Sequence, residues 1–339
     1  MVWAFWTDSH WLYLLLHPVI SLAFIIRIIW IRRPPGVALA WILIVAILPI
    51  VGLRAYFLVG ERPIGRDRSQ RIQKSKPLYQ RMTQLLDQRY AGVEQQIAEQ
   101  FRPMARLAES RGGMPPVPGN RIVLYPDAQS ILHAMLDDID AAQHNCDLEF
   151  YIWSPGGSAD LVAEALMRAA KRGVTCRALL DELGSAPFWK SPWPARLRKA
   201  GVHLTKACEI QPLKLQFGRA DLRLHRKIAA FDQNVAWTGS LNLVDPAYFK
   251  QDAGVGEWVD AMARIEGPAA EALATVFEGD WAVENNQIPD FGKYLDRMQH
   301  APPCCGTGQI IAQAVPSGPS YCSTHMSHIL LSALLAAKT

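Results

Sequence analysis

The sequence predicts an α/β protein made of an amino-terminal transmembrane helical hairpin, one α/β/α sandwich lobe and the start of a second. Three observations predict it. Residues 11 to 31 and 37 to 59 are nearly continuous apolar runs separated by a short charged turn. From about residue 119 the pattern changes to short strands alternating with amphipathic helices over short connections, which favours a sandwich with a largely parallel sheet. Finally, His225, Lys227, Asp232, Gly239, Ser240 and Asn242 read H-x-K-x4-D-x6-G-S-x-N, placing an imidazole, an ammonium and a side-chain amide at short range.

Each apolar run is long enough to cross a bilayer, which needs ~20 residues. Trp11, Tyr13 and Trp30 fall where an interfacial aromatic belt would lie, and Arg27 and Arg54 are close enough to the ends to snorkel. Met1 to His10 carries no Lys or Arg and a second run follows at once, which argues against a cleaved signal peptide. Arg32, Arg33, Pro34 and Pro35 form the turn, so both ends of the hairpin emerge on one side. Arg62, Arg66, Arg68, Arg71, Lys74 and Lys76 outweigh the two turn arginines and favour a cytoplasmic soluble portion. The same flank is drawn to anionic lipid by ~1 kcal/mol per residue near the surface.

The chain of 339 residues is half apolar and carries a formal net charge of +4, enough material for a core of one or two domains. Its six cysteines show no C-x2-C pairing and no histidines at zinc spacing, which argues against a disulfide framework or a metal site. Cys304 and Cys305 receive no role.

Residues 63 to 118 read as a helical linker, with Leu85, Leu86, Val93, Ile97, Phe101 and Met104 at helical spacing. The Gly/Pro-rich stretch Arg111 to Gly119 places the main boundary. The division is thus 1–62 for the hairpin, 63–118 for the linker, 119–290 for the catalytic lobe and 291–339 for a further linker and an incomplete second lobe. Within the lobe the expected order is strand Arg121 to Tyr125, helix Ser130 to Gln143, strand Asp147 to Trp153 and helix Ala159 to Arg172 ended by Gly173. Strand Val174 to Leu180, helix Pro194 to Ala200 and strand Val202 to Lys206 follow.

His225 to Phe231 is expected as a strand on which His225, Lys227 and Ala229 share a face and Arg226 points the other way. Val235 to Thr238 continues as the next strand, and Gly239 and Ser240 open a turn that lets backbone approach a ligand. Phosphoryl transfer needs a nucleophile, a proton donor and positive charge on the nonbridging oxygens. His225 suits the first or second role and Lys227 and Asn242 the third, with Ser240 as a further donor. Asp232 completes the catalytic signature but reads as an orienting or folding residue, since a bare carboxylate beside phosphate repels it. Six specified positions arise by accident in such a chain about once in 10^5 sequences.

Other residues carry less. Glu257 could orient a histidine; His203 and His300 read as surface or core residues, and Asp181 and Glu182 as a turn cap at a strand end that could also face the pocket. Phe188, Trp189 and Trp193 could form an acyl-chain entry or an aromatic core. A weak internal repeat sets Ile131 to Gln143 beside Ile329 to Lys338, as if the chain began a second copy of its α/β unit.

These residues resemble the phospholipase D superfamily, and more closely its bacterial cardiolipin synthase branch. The likeness extends beyond the motif to the paired amino-terminal runs, LEFYIW at 148–153, PGG at 155–157, SPWPARLRKAG at 191–201 and the stretch 242–268. Leu224 departs from it, standing where related sequences tend to be polar. The resemblance implies a bilobal α/β fold with two such motifs facing one site, and a covalent phosphohistidine. The reaction it implies is transfer between two phosphatidylglycerol molecules in the bacterial inner membrane, giving cardiolipin and glycerol without a metal or other cofactor. No nucleic-acid partner is expected. Because the motif occurs once, the second histidine would come from another copy of the chain in a homodimer. Hydrolysis of a phospholipid or phosphodiester, and a truncated, inactive membrane-anchored remnant with an exposed apolar helix at Ile329 to Ala337, are the alternatives.

Overall fold

The computed structural model describes residues 18–31, 35–56, 66–209, 223–247, 254, 258–286, 308–318 and 325–337. Two units are present, one holding the described residues up to Tyr56 and the other those from Arg66 onward.

In the first unit, residues 18–30 form helix α1, followed by α2 (Pro35–Ile47) and α3 (Pro49–Ala55). The second apolar run is therefore broken. Leu48 leaves the helical region at φ −125° and ψ 71° because Pro49 crowds the residue before it. Ile28, Val45 and Tyr56 are buried together, and Trp41 and Phe24 meet Tyr56 edge-on at 5.3 and 6.0 Å. Most other apolar side chains here are exposed, among them Leu22, Ile29, Trp30, Leu39, Leu43 and Val51. Among the described residues no helix is long and apolar enough to cross a membrane.

The second unit is a mixed sheet between helical layers. Its strands are β1 (Val117–Tyr125), β2 (Asn145–Phe150), β3 (Thr175–Asp181), β4 (His203–Ala207), β5 (Lys227–Phe231), β6 (Val235–Gly239), β7 (Met262–Glu266) and β8 (Ile310–Ala312). Their order across the sheet is β4-β3-β2-β5-β6-β7-β1-β8. Only β2 with β3 and β3 with β4 pair in parallel; the other pairings are antiparallel. The expectation of a largely parallel sheet is thus corrected. Helical crossovers build only the β2-β3-β4 edge, whereas β5 and β6 are joined by a tight turn that forces them antiparallel.

On one face lie α7 (Ala128–Ala141), α8 (Ser158–Lys171), α9 (Ala186–Lys190) and α10 (Trp193–Lys199). Asp127 caps α7 by accepting from Ser130 N at 2.8 Å, and Gly173, at φ +90°, closes α8 where a side chain would be strained. Ile131, Met135, Val162, Leu166, Leu148 and Phe150 fill the layer between. Asp138 joins helix to sheet, accepting from Trp237 Nε1 at 2.7 Å and Arg264 Nε at 2.8 Å.

The other face is covered by α11 (Pro268–Glu284), with α4 (Arg66–Arg89) packed on it and the short helices α5 (Val93–Gln96) and α6 (Arg102–Ser110) following α4 in the chain. Met82, Leu86, Val93, Met114 and Val117, from the segment read as linker, share this core with Ile228, Ala236 and Ala270. Residues 308–318, expected to lie in a further linker before a second lobe, instead run along this sheet, with β8 pairing β1 and Met114 N bonding Ala314 O at 2.9 Å. Helix α12 (His325–Ala336) exposes Leu330, Leu331, Leu334 and Leu335. Cys146, Cys176 and Cys208 are buried free thiols. The acyl-entry option is also corrected for Phe188 and Trp193: Phe188 is fully buried and stacks on Trp153 at 4.6 Å, and Trp193 is buried in the same core, while Trp189 is half-buried and meets Phe188 edge-on.

Candidate active site

His225 lies two residues before the point where β5 joins the β2 ladder, which begins at Lys227 opposite Phe150. Side chains, rather than ladder hydrogen bonds, fix this approach. The buried carboxylate of Asp181, at the end of β3, accepts from Arg223 Nη2 at 2.6 Å, Arg223 Nε at 3.1 Å and Leu224 N at 3.3 Å. It also accepts from Leu183 and Gly184 N at 3.0 and 2.9 Å, which is the turn cap expected at this strand end. Leu224 is buried against Leu179 and Phe277, and the imidazole after it is exposed.

Lys227 is 5% exposed, on the face of β5 that carries Ala229 into the core. Its Nζ donates to the His225 carbonyl at 3.0 Å and lies 5.7 Å from the centre of the Tyr151 ring. That same ring sits 5.1 Å from the imidazole. Burial pulls the lysine down to about 8, with Asp260 working weakly against it. The imidazole is also held below its ordinary value, first by desolvation and then by the neighbouring Lys227 charge, with Asp181 opposing. The arrangement therefore offers a neutral imidazole beside a cation that gains from an incoming anion.

The second half of the motif is joined to the end of β2. Asn242 Oδ1 accepts from Ile152 N at 3.1 Å, and Leu243 N bonds Ile152 O at 3.0 Å. This engages the carbonyl end of the Asn242 amide and leaves its NH2 end as the donor. Gly239 is needed for a reason other than ligand approach: a Cβ there would meet the Ala261 carbonyl oxygen and lie 2.7 Å from Met262 Cα on β7. The Ser240 hydroxyl accepts from Ala261 N at 3.0 Å and donates to Ala261 O at 3.3 Å, so it is occupied in tying the turn to the approach of β7.

Asp232 stands at the opposite end of β5 from His225. Its carboxylate accepts from the backbone N of Gln143, His144 and Asn145 at 2.8, 2.8 and 2.9 Å, and its φ of +51° opens the turn into β6. The catalytic grouping of Asp232 with His225 and Lys227 is therefore not reproduced in space. Arg226 points to the other face, toward α11, where it pairs with Asp280. Glu257 and His300 lie outside the described residues, as do Cys304 and Cys305. His203 is exposed at the start of β4.

Tyr151 is the residue that sequence reasoning missed. It belongs to a stretch singled out only for its likeness, and an aromatic at a strand end reads as core. Its closeness to both His225 and Lys227, and the Gly184 backbone packed on it, give it a place at the site.

The chain is similar in sequence to known proteins. A family model described as "Cardiolipin synthase, PLD-like domain" matches residues 135–281, and one described as "Phospholipase_D-nuclease N-terminal" matches residues 19–61. Cardiolipin synthase A of Salmonella typhimurium and that of Salmonella paratyphi B are each 38% identical, the match covering 98% of this chain and 68% of the relative. Among solved structures, Nuc, a phospholipase D family member from Salmonella typhimurium, is 20% identical, with 49% of this chain and 95% of that one covered at a TM-score of 0.34. With the motif and a 38% identical match over 98% of this chain in agreement, the chain belongs to the cardiolipin synthase family of the phospholipase D superfamily.

Proposed function

We propose that this chain transfers a phosphatidyl group between two phosphatidylglycerol molecules, giving cardiolipin and glycerol, with His225 as the nucleophile. The observation that carries the reading is an exposed imidazole whose own carbonyl is bonded by a buried ammonium. An imidazole nitrogen bonds to phosphorus, and the bond from phosphorus to the headgroup glycerol breaks, the departing oxygen taking a proton. The terminal hydroxyl of a second phosphatidylglycerol then attacks, the phosphorus–nitrogen bond breaks, and its proton returns to the same acid–base group. Lys227 and the NH2 end of Asn242 stabilise the nonbridging oxygens. Asp232 and Ser240 shape the strand and turn that carry these groups. A second copy of the chain would bring, through its own His225, the imidazole that protonates the leaving glycerol.

The many exposed apolar side chains of residues 18–56 support a membrane anchor, and the basic residues that follow support a catalytic lobe on the cytoplasmic side of the bacterial inner membrane. The test is incubation of the detergent-purified chain with headgroup-labelled phosphatidylglycerol. Cardiolipin and free glycerol are expected in equal amounts from the parent and neither from His225→Ala. Phosphatidic acid in place of cardiolipin would mean hydrolysis, and no product would reject the reading.

A further inference from the structure

We infer that Arg226 is a positioning residue for the reaction: its guanidinium anchors the stretch that carries His225 to the helix-covered face of the sheet. The inference rests on the reading of His225 as the nucleophile. Residues 223–226 lie ahead of the β2–β5 ladder, so among the described residues no strand neighbour holds the backbone that bears the imidazole. Arg223 pins one side of it through Asp181. On the other side stands Arg226, only 12% exposed, in contact with the Asp280 carboxylate of α11 and 3.9 Å from the Glu149 carboxylate of β2. Its Nε donates to the Ser317 carbonyl at 3.1 Å.

One side chain thus gathers β2, α11 and the 308–318 segment directly behind His225. Glu149 is fully buried, and neither of its oxygens has a hydrogen-bond partner among the described residues. The Asp280 carboxylate and the buried Glu149 on one side and the Ser317 carbonyl on the other give the arginine a fixed seat. The guanidinium faces away from the phosphate side, so it serves by placement and not by touching substrate. Because His225 and Arg226 share a peptide unit, release of the guanidinium frees the imidazole backbone to shift. A displacement of about 1 Å at a nucleophile costs on the order of 10²-fold in rate.

The experiment is single-turnover labelling of the full chain in detergent with phosphorus-labelled phosphatidylglycerol, reading separately the rate and the final amount of label on protein. Arg226→Gln should label to the parent's full amount at a rate lowered about 10-fold to 100-fold, and Arg226→Lys should recover part of that rate. An unchanged rate, or a smaller amount reached at the parent's rate, would overturn the inference, the second because it describes a fraction of unfolded molecules. If Arg226→Gln fails to fold, Asp280→Asn is measured in the same way and judged by the same two outcomes. A parent that takes up no label would instead sink the nucleophile reading itself.

Discussion

At the residue scale, the site is a matter of two coupled charges. As the proposed nucleophile His225 must be neutral to attack, and its pKa lies below the ordinary histidine value, chiefly through desolvation and then through Lys227. In the proposed mechanism Lys227 must be charged to hold phosphate, and burial has brought it down to about 8. For the free enzyme, loss of the proton from the attacking imidazole raises kcat/KM with pH through a value below 6.5, loss of the proton from the second copy's acid imidazole lowers it, and loss of the Lys227 charge lowers it further as pH passes about 8. Lys227→Arg keeps the cation charged throughout, so the further fall near pH 8 should vanish from its profile while the limbs set by the two imidazoles remain. Asp232 makes a contrasting case. Three backbone donors converge on its carboxylate far from the imidazole, so Asp232→Ala should lower unfolding free energy by about 2–3 kcal/mol. Thermal melting beside a rate per folded molecule checks this; a stable but inactive Asp232→Ala would return the carboxylate to the chemistry.

At the element scale, the motif works because two halves 90 residues and more apart in sequence are zipped together. The end of β2 supplies Tyr151 and Ile152, and the turn after β6 supplies Asn242 and Leu243. Gly239 permits that turn by letting β7 backbone close on it. Gly239→Ala should therefore cost about 1–3 kcal/mol of stability, seen as a lowered denaturation midpoint, and lower activity by loosening Asn242. Much of this level was legible in the sequence. The β2, α7, α8, β3, α10, β4, β5 and β6 elements lie within a few residues of their expected positions because each has a plain apolar period and a glycine or cap at its end. The antiparallel pairings were not legible, since apolar runs buried on both faces look alike in either direction. Nor was α11, whose residues are buried on nearly every side and so lack an amphipathic stripe. Asp181 was half legible: its place at a strand end suggested a cap, while its grip on Arg223 depends on a residue 42 positions away.

At the scale of the whole molecule, the second unit is a continuous sheet clad on both faces, and residues 308–318 are part of it. The first unit carries its apolar side chains outward. Expressed in bacteria, the full chain should stay in the membrane fraction through a high-salt wash that strips proteins held by charge alone and leave it only in detergent. Release by salt would mean that the basic flank, and not the hairpin, provides the attachment. Four exposed leucines on α12 also mark the chain for association through that helix in the absence of lipid or detergent.

The claim on which the chemistry depends is a covalent bond between phosphorus and His225. The parent chain, mixed with phosphorus-labelled phosphatidylglycerol and denatured within its first turnover, should carry label on the peptide containing His225, and His225→Ala should carry none. Cardiolipin formed at full rate with no label on protein, or label that survives in His225→Ala, would contradict the account.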